Sequence, residues 1–405
     1  MSFRVAISGL RAASGDLDVI SNNVANSNTT GFKKSRAEFA DVFAVTDLGG
    51  SSSTPGSGVR LTNVAQQFTQ GNITFTDNNL DLAISGRGFF IVNDGGGNQF
   101  TRAGAFGVDR DGFFSNAQGQ QLIAFGADNS GNITGAATPL QINTANIPPQ
   151  ASASMTLDLN LNASEAQPAV SPFDPNNPAS FTHTTSTTIF DSLGNSHLAA
   201  MYFVKTATPN QWQSHTYVDG VDVGGGATSM TFDTSGALTV PAGGTITTPS
   251  FTPSGGGAAQ TLTLDYSGTT QFGSDFAVNA LSQDGFTTGR LSGLDIDPEG
   301  IIFARFTNGQ SRVEGQIAMA DFPNPQGLQP LSDSNWGETF SSGAVVVGNP
   351  GTSSLGLIQS GALEDSNVEV SEELVNMIIA QRTFQANAEV IQTSDAITQT
   401  IINLR

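Results

Sequence analysis

Cysteine is absent from the 405 residues of this chain, which excludes disulfide bonds, thiolate metal sites and a cysteine nucleophile. Lys and Arg number 15 against 35 Asp and Glu, giving a formal net charge of −20. An acidic chain of this kind lacks the basic surface that nucleic-acid binding requires, so we expect no nucleic-acid partner. No apolar run approaches the roughly 20 residues of a membrane span, and we expect no membrane insertion.

Charge of either sign is sparse, since charged residues make up 12% of the chain against about 25% in typical globular proteins. The first twenty residues, MSFRVAISGLRAASGDLDVI, are interrupted by Arg4, Arg11, Asp16 and Asp18. They lack the continuous apolar core of a secretory signal. If the protein leaves the cell, we therefore expect a route that cleaves no such signal.

The sequence between about Leu61 and Gly361 is typical of β-structure. Short runs of Val, Ile, Thr and Phe alternate with Gly, Asn, Asp and Ser turns about every 8–12 residues, the spacing of sandwiches and barrels. The segments VDRDGFF, FDSLGNSHL and FTNGQSRV have Asp-Gly, Gly-Asn and Asn-Gly pairs near their centres. These pairs predict hairpin turns.

Both ends of the chain have the apolar spacing of helices that pair along a coiled-coil seam. The C-terminal helix is predicted from about residue 371 to 403, with Ser371 as its N-cap. Its second apolar row is weaker, because Gln381 and Asp395 interrupt it. We expect the two helices to pack together and then against copies of themselves; the alternative is a pair of ordinary amphipathic helices on a globular core. The predicted assembly seam consists of Phe3, Ala6, Leu10, Ala13, Leu17, Ile20, Val24, Val370, Leu374, Met377, Phe384, Ala388, Ile391 and Ile402.

The N-terminal helix runs into the polar segment SNNVANSNTTGFKK, residues 21–34. This segment looks too polar to bury and too poor in catalytic groups to form an active site. Asn and Gly supply the backbone conformations and side-chain hydrogen bonds that end a helix. We interpret the segment as the link between a helical layer and the β domains.

No residue pattern indicates catalysis, a cofactor or a metal, and we predict that the chain is not an enzyme. His183, His197 and His215 occur without cysteine or a metal-ligand spacing, so we expect surface or turn histidines. The segment DIDPEG at 295–300 resembles the start of a calcium loop, but Phe306 stands where that loop needs Glu. A tight turn between strands is the simpler interpretation.

Breaks in composition predict a nested organisation. Two stretches contain proline. We interpret residues 143–152 as the point where the chain crosses from one domain to the next, and residues 163–181 as an extended connector. The predicted fold is multidomain α+β and mainly β, with paired N- and C-terminal coiled-coil helices and nested inner and outer β domains. The predicted parts are a terminal helical domain of 1–30 and 368–405, connecting segments 31–72 and 359–367, an inner β domain of 73–147 and 286–358, and an outer inserted β domain of 148–285.

Three ordered motifs stand out along the chain: SNNVANSNTTGFKKSRAEF after the first helix, LDLAISGRGFF at 80–90, and the C-terminal segment from GALEDSN to the end. Together they resemble the bacterial flagellar rod–hook family of axial proteins. The long middle insertion, with TTIFDSLGNSHLAAMYFVK at 187–205, is similar to the hook branch of that family. In the first motif the matching residues are Asn22, Asn23, Ala25, Asn26, Thr29, Gly31, Phe32 and Lys33.

The resemblance implies a structural subunit that polymerises into a bendable tube and transmits torque from the flagellar rod to the filament. The implied partners are copies of the chain, rod proteins, the hook cap, hook–filament junction proteins and the flagellar type III export apparatus. The implied location is extracellular, in the hook. A distal rod or hook-associated junction protein is the nearer alternative, and a secreted β-rich adhesin or glycan-binding protein is the alternative of another class.

Overall fold

A computed structural model describes residues 2–42, 56–128, 130–352 and 354–403. The chain forms two compact units. The first, here called the helical unit, comprises residues up to Thr144, Gly293–Arg305 and the chain from Ser311 onward, and the second, the inserted unit, comprises Ala145–Ser292 and Phe306–Gln310. The domain boundaries drawn from the sequence stay a prediction, and part of the predicted connecting segment 31–72, namely 43–55, lies outside the described residues.

Within the described residues, helix α1 is Ser2–Ala25 and helix α2 is Val370–Asn403. The strands of the helical unit that precede the insertion are β1 (Ser35–Asp41), β2 (Val59–Gln66), β3 (Ile73–Phe75), β4 (Leu82–Ser85), β5 (Phe89–Asn93), β6 (Asn98–Thr101), β7 (Phe106–Val108), β8 (Phe114–Asn116), β9 (Gln121–Ala127) and β10 (Ile133–Pro139). The strands of the inserted unit are β11 (Ser154–Asn160), β12 (His183–Phe190), β13 (Ser196–Lys205), β14 (Gln211–Val218), β15 (Val221–Asp222), β16 (Thr228–Phe232), β17 (Leu238–Val240), β18 (Thr245–Thr247), β19 (Thr263–Asp265) and β20 (Ala277–Gln283). The remainder are β21 (Leu291–Ile296), β22 (Ile301–Phe306), β23 (Ser311–Ile317), β24 (Met319–Asp321), β25 (Gln329–Pro330), β26 (Asn335–Gly337), β27 (Val346–Gly348), β28 (Leu357–Ser360) and β29 (Ala362–Glu364).

Helices α1 and α2 pack against each other. Helix α2 has 34 residues, which corresponds to a length of about 50 Å at 1.5 Å per residue. Its first intrahelical hydrogen bond runs from the Glu373 backbone N–H to the Glu369 carbonyl at 3.0 Å, so Glu369 occupies the cap position. The predicted N-cap Ser371 is therefore wrong, because the helix has already begun at Val370.

The main sheet of the helical unit runs in the order β22-β23-β9-β5-β6-β26-β25. One face carries a core rich in aromatic side chains, where Phe322 lies 4.7 Å from Phe100 and 6.0 Å from Phe89 in edge-to-face geometry. Trp336 on β26 is buried in the same cluster.

The inserted unit is a sandwich of two sheets, β12-β13-β14-β16-β17 and β18-β19-β11-β20. Alternate residues of β13 and β11 are buried, as the period of a half-buried strand requires. Phe203 from the first sheet and Leu157 from the second lie in one apolar cluster with Trp212.

The predicted hairpins form, since β7 pairs with β8, β12 with β13, and β22 with β23, all antiparallel. The predicted fold class, mainly β with paired terminal helices, is confirmed.

Candidate functional site

The turn that ends α1 is shaped by the Asn-rich segment. The Asn26 side-chain amide donates to the Asn22 carbonyl at 3.0 Å, and its oxygen accepts from the Thr29 hydroxyl at 3.2 Å. These bonds occupy polar groups that a helix end leaves open. Gly31 then adopts φ +70°, and a Cβ there would lie 2.4 Å from the Ala103 backbone nitrogen. Glycine is therefore required for the chain to pass so close to its neighbour.

Asn23 joins three chain segments. Its side chain is 1% exposed, donates to the Ser35 carbonyl at 2.8 Å and accepts from the Ser35 N–H at 2.9 Å. The same amide reaches Oε2 of Glu373, in the first turn of α2, at 3.4 Å. One buried amide thus fixes the end of α1, the start of β1 and the start of α2.

A buried ionic group lies beneath this turn, and we call Lys33, Arg102 and Glu364 the junction cluster. Lys33 Nζ lies 2.5 Å from Glu364 Oε1, with the two side chains 1% and 0% exposed. Arg102 Nη1 lies 3.0 Å from Glu364 Oε2. One carboxylate therefore bridges two cations, at a point where the chain approaching from α1 meets the chain leading to α2.

Backbone groups complete the junction cluster. Lys33 Nζ also donates to the Thr69 carbonyl at 2.8 Å, and Arg102 Nη2 donates to the Gly86 carbonyl at 2.7 Å. Glu364 Oε1 accepts from the Gly71 N–H at 2.8 Å. Such hydrogen bonding is what makes a buried charge tolerable.

Burial lowers the pKa of Lys33 and of Arg102, because desolvation disfavours the charged form, whereas the adjacent Glu364 carboxylate acts in the opposite direction. With all three groups ionised, the cluster carries two positive charges and one negative. Glu364 is thus the member whose charge both cations need.

Asn367 adds a second connection between the same segments. Its side-chain oxygen accepts from the Lys34 N–H at 2.7 Å, and its amide donates to the Gln67 carbonyl at 2.8 Å. The Gln67 N–H in turn donates to the Lys34 carbonyl at 2.8 Å. The segment leading into α2 is therefore held to both strands of the β1–β2 region.

The expectation that residues 21–34 are too polar to bury is wrong for Asn23 and Lys33, because their polar atoms find partners within the fold. Of the other predicted motif residues, Gly31 is also buried, Asn26, Thr29 and Phe32 are partly buried, and Asn22 and Ala25 are exposed. Sequence reasoning did not identify Arg102, Glu364 or Asn367. No local signal marks them, since Glu364 lies 331 residues from Lys33.

The predicted seam residues fall into three groups. Buried members are Ala6, Ala13 and Ile20, at 3–5% exposure. Partly buried members are Leu10, Leu17, Val24, Met377, Phe384, Ala388 and Ile391. Exposed members are Phe3, Val370, Leu374 and Ile402. The structure does not bring this last group into the pairing of α1 with α2, and the role of the seam in assembly stays a prediction.

The row of α2 that faces α1 is displaced by one residue from the predicted row of Leu374, Gln381 and Ala388. Glu373 bonds to Asn23, Ala380 is buried, and Asn387 lies so close to Gly9 that a Cβ on Gly9 would be 2.6 Å from its side-chain oxygen. Gly9 has no side chain, so the surface of α1 leaves room there for Asn387. The apolar spacing had predicted Ala388, the next residue, at this contact.

Helix α2 leaves an apolar face uncovered, which we call the α2 apolar face. Its members are between 45% and 57% exposed. They are Leu374, Val375, Ile378, Ile379, Val390 and Ile397. At about 100° per residue, these side chains lie within about 160° of one another around the helix axis. Ile402 is also exposed, but it lies on the side of the helix that carries Ala380. A face of this length and composition is typical of a contact surface.

The histidines are not simple surface residues, which corrects that expectation. His197 is buried, with Nδ1 at 2.6 Å from Asp219 Oδ2 and Nε2 at 3.4 Å from Asp191 Oδ2. Burial lowers its pKa, but these two aspartates outweigh burial and raise the pKa above the usual value. Burial lowers the pKa of His183 and of His215. Among the described residues no group of three or more His, Cys, Asp or Glu could hold a metal ion.

Neither helix, taken over its described residues, combines the length and apolarity of a membrane span.

Four family models match the chain in order along its length. "Flagella basal body rod protein" matches residues 3–33, and "Flagellar hook protein FlgE/F/G D1 domain" matches 83–159. "Flagellar basal body protein FlaE D2 domain" matches 160–286, and "Flagellar basal body rod FlgEFG protein C-terminal" matches 359–404. The first and last of these contain α1 with Lys33 and α2 with Glu364.

Full-length relatives agree with these matches. The flagellar hook protein FlgE of Escherichia coli (strain K12) is 39% identical over 414 residues, covering 100% of both chains. The flagellar hook protein FlgE of Borreliella burgdorferi is 33% identical over 437 residues, covering 98% of each chain.

A crystal structure of Helicobacter pylori flagellar hook protein FlgE2 has a TM-score of 0.52 at 14% identity, over 72% of this chain and 100% of that one, and so shares the fold. The full-length identities set aside the rod, junction and adhesin alternatives. The chain belongs to the flagellar hook protein FlgE family and is a structural subunit of the hook.

Proposed function

We propose that copies of this chain polymerise into a tube through their terminal helices. The observation that carries this proposal is the α2 apolar face, because a 34-residue helix presents six large apolar side chains to solvent on this face. Fully burying one such side chain stabilises a complex by about 1.5–3 kcal/mol. Copies that cover this face would therefore gain most of the stabilisation of the polymer there.

The contacts between copies would be heterologous, since such contacts continue without closing and generate helical tubes. We propose that the terminal helices form the stiff inner layer through the seam residues. The junction cluster would transmit force from that layer to the β-structure of the same unit. The inserted unit would make sparse polar contacts, which can slide as the tube bends and so allow it to couple rod and filament as a universal joint.

The partners beyond the chain itself are also proposed: rod proteins, the hook cap, hook–filament junction proteins and the flagellar type III export apparatus. We propose an extracellular location reached without cleavage of a signal peptide. The absence of cysteine supports export in an unfolded state, because no disulfide would block passage through a narrow channel. The family is structural, and we propose that the chain has no catalytic activity.

The domain organisation drawn from the sequence belongs to the same proposal. Residues 1–30 and 368–405 would form the inner tube, 73–147 and 286–358 an intermediate layer, and 148–285 the outer layer. The segments 31–72 and 359–367 would connect the first to the second. The ion pair between Lys33 and Glu364 joins these two connecting segments, which supports their assignment as one structural part.

The test is Ile378→Asp, which changes the exposed middle of the α2 apolar face. The side chain is 51% exposed in the isolated chain, so the helical unit should fold normally while tube formation is lost. Gln118→Asp, at an exposed polar position in the turn between β8 and β9, is the control, because it adds the same charge to the helical unit away from the α2 apolar face. Circular dichroism would measure folding, and electron microscopy of purified protein would count tubes. Normal tubes from Ile378→Asp would overturn the proposal.

A further inference from the structure

Phe340 projects fully into solvent from the helical unit. Its relative exposure is 105%, and it lies in the loop 338–343, which follows β26. A phenylalanine in this state contributes nothing to the core of its own chain. Large aromatic side chains are characteristic anchors of protein interfaces, because they bury much area with few rotatable bonds.

The loop around Phe340 is held in place on both sides. Ser342 is fully buried, and its hydroxyl donates to the Thr339 carbonyl at 2.7 Å. The Thr339 hydroxyl donates to the Gly327 carbonyl at 2.5 Å, and the Asn324 amide donates to the Ser341 carbonyl at 2.9 Å. Since these bonds fix the backbone, Phe340 is presented in a preset position, which reduces the entropy lost when it binds.

The same unit contains a cavity of suitable chemistry, which we call the Trp336 pocket. Its volume is about 330 Å³. Its apolar lining consists of Phe32, Pro330, Leu331 and Trp336, and its uncharged polar lining of Asn26, Thr29, Gln66, Ser334 and Asn335. Leu331 is 42% exposed, which leaves apolar surface accessible to an incoming group. Trp336 already makes edge-to-face contact with Phe68 at 5.4 Å.

The charged residues of the lining do not prevent an apolar group from binding in this pocket. Its charged members are Lys33, which is engaged with Glu364, and Asp333. By contrast, a cavity between α1 and β2 is lined by Arg4, Arg11 and Arg60. Covering those guanidinium groups with a phenyl ring would cost their hydration. Of the two cavities, the Trp336 pocket is the better receptor for phenylalanine.

We propose that Phe340 of one copy inserts into the Trp336 pocket of the next copy. This inference rests on the proposed polymerisation. Each copy carries both the projecting ring and the pocket, so one kind of heterologous contact can repeat from copy to copy, and it builds a helical assembly when its rotation does not close. The partner is a second copy of this chain, and the contact lies in the β-structure outside the terminal helices.

The absence of native cysteine allows a direct test with two single-cysteine proteins. F340C and L331C, each with a different tag, are mixed above the polymerising concentration, assembled, and treated with a short bis-maleimide cross-linker. We expect a cross-linked dimer that carries both tags. Tubes of normal shape without this mixed dimer would overturn the contact but leave the proposed function intact. Failure of the unaltered chain to form tubes would overturn both.

A second measurement does not depend on cross-linking. F340S should raise the critical concentration for polymerisation at least tenfold, which corresponds to about 1.4 kcal/mol, and F340L should restore most of the loss. The control is F75S, because Phe75 is another phenylalanine with high exposure, 75%, on β3. An equal effect of F75S and F340S would contradict a specific contact. Combining L331N with F340S should add little to either change alone, since both remove the same contact.

Discussion

Replacing Glu364 with Gln tests whether the junction cluster holds the helical unit together. The change keeps the shape of the side chain but removes the negative charge shared by Lys33 at 2.5 Å and Arg102 at 3.0 Å. Two buried cations then lie together without a counter-charge. Of the two carboxylate oxygens that accepted hydrogen bonds, one is replaced by an NH2 group, which is a donor, and the other by an uncharged amide oxygen, which is a weaker acceptor. Removing one partner of a buried ion pair costs about 3–5 kcal/mol. At a urea slope of about 2–3 kcal/mol/M, the unfolding midpoint should fall by roughly 1–2.5 M.

The two tryptophans allow each unit to be observed separately. Trp336 is buried in the helical unit and Trp212 in the inserted unit. Fluorescence in a W212F background therefore reports the helical unit, and fluorescence in a W336F background reports the inserted unit. E364Q should shift the first transition to lower urea and leave the second in place.

The charge count of the cluster gives a sharper comparison. Lys33→Met removes one of two cations and leaves the Arg102–Glu364 pair, so it should destabilise the helical unit less than E364Q does. Glu372→Gln is the control, because Glu372 pairs with Lys34 at 3.3 Å on the surface and exposed pairs contribute little. The reasoning fails if E364Q is no more harmful than Glu372→Gln, or if Lys33→Met is the worse of the two cluster variants.

Three further outcomes can be measured on the same protein. Gly31→Ala forces a side chain into a left-handed conformation, which costs about 1–2 kcal/mol, and into contact with neighbouring backbone, so a lower midpoint by Trp336 fluorescence is expected; no change would argue against the close approach. Asn23→Ala leaves polar groups unpaired and should cost about 1–3 kcal/mol in the same assay, whereas Asn28→Ala, at an exposed position of the same segment, should be silent. Proton NMR should show His197 titrating above pH 6.5 and His183 and His215 below it. Because the folded pKa of His197 is raised, its contribution to the stability of the inserted unit is complete below the unfolded pKa and is lost as pH rises through the higher folded pKa; H197Q should remove this dependence, and persistence of it would refute the assignment.

Local chemistry predicted the elements well. The Asp-Gly, Gly-Asn and Asn-Gly turns yielded the expected hairpins, because turn residues act on their immediate neighbours. The polar run after α1 ends the helix as its Asn and Gly content required. Ala6, Ala13 and Ile20 are buried, as their spacing at intervals of seven residues indicated.

The contacts between residues far apart along the chain could not be predicted from the sequence. Nothing near Lys33 shows that its counter-charge is Glu364, because the two meet only through the register of the whole unit. The row of α2 that faces α1 was misplaced by one residue for a related reason. Apolar spacing predicts which side of a helix is the most apolar. The close contact between Gly9 and α2 determines which side of α2 faces α1, and this contact depends on the residues of both helices.

The number of residues between Lys33 and Glu364 also determines how long after Lys33 its counter-charge is synthesised. Glu364 follows Lys33 by 331 residues, which a ribosome takes roughly 20–60 s to add at about 5–20 residues per second. During that interval Lys33 has no carboxylate to meet, and α1 has no α2 to cover its small side. The helical unit therefore reaches its final form only after nearly the whole chain has been synthesised, and any factor that must hold the chain open can act on its N-terminal end throughout that period.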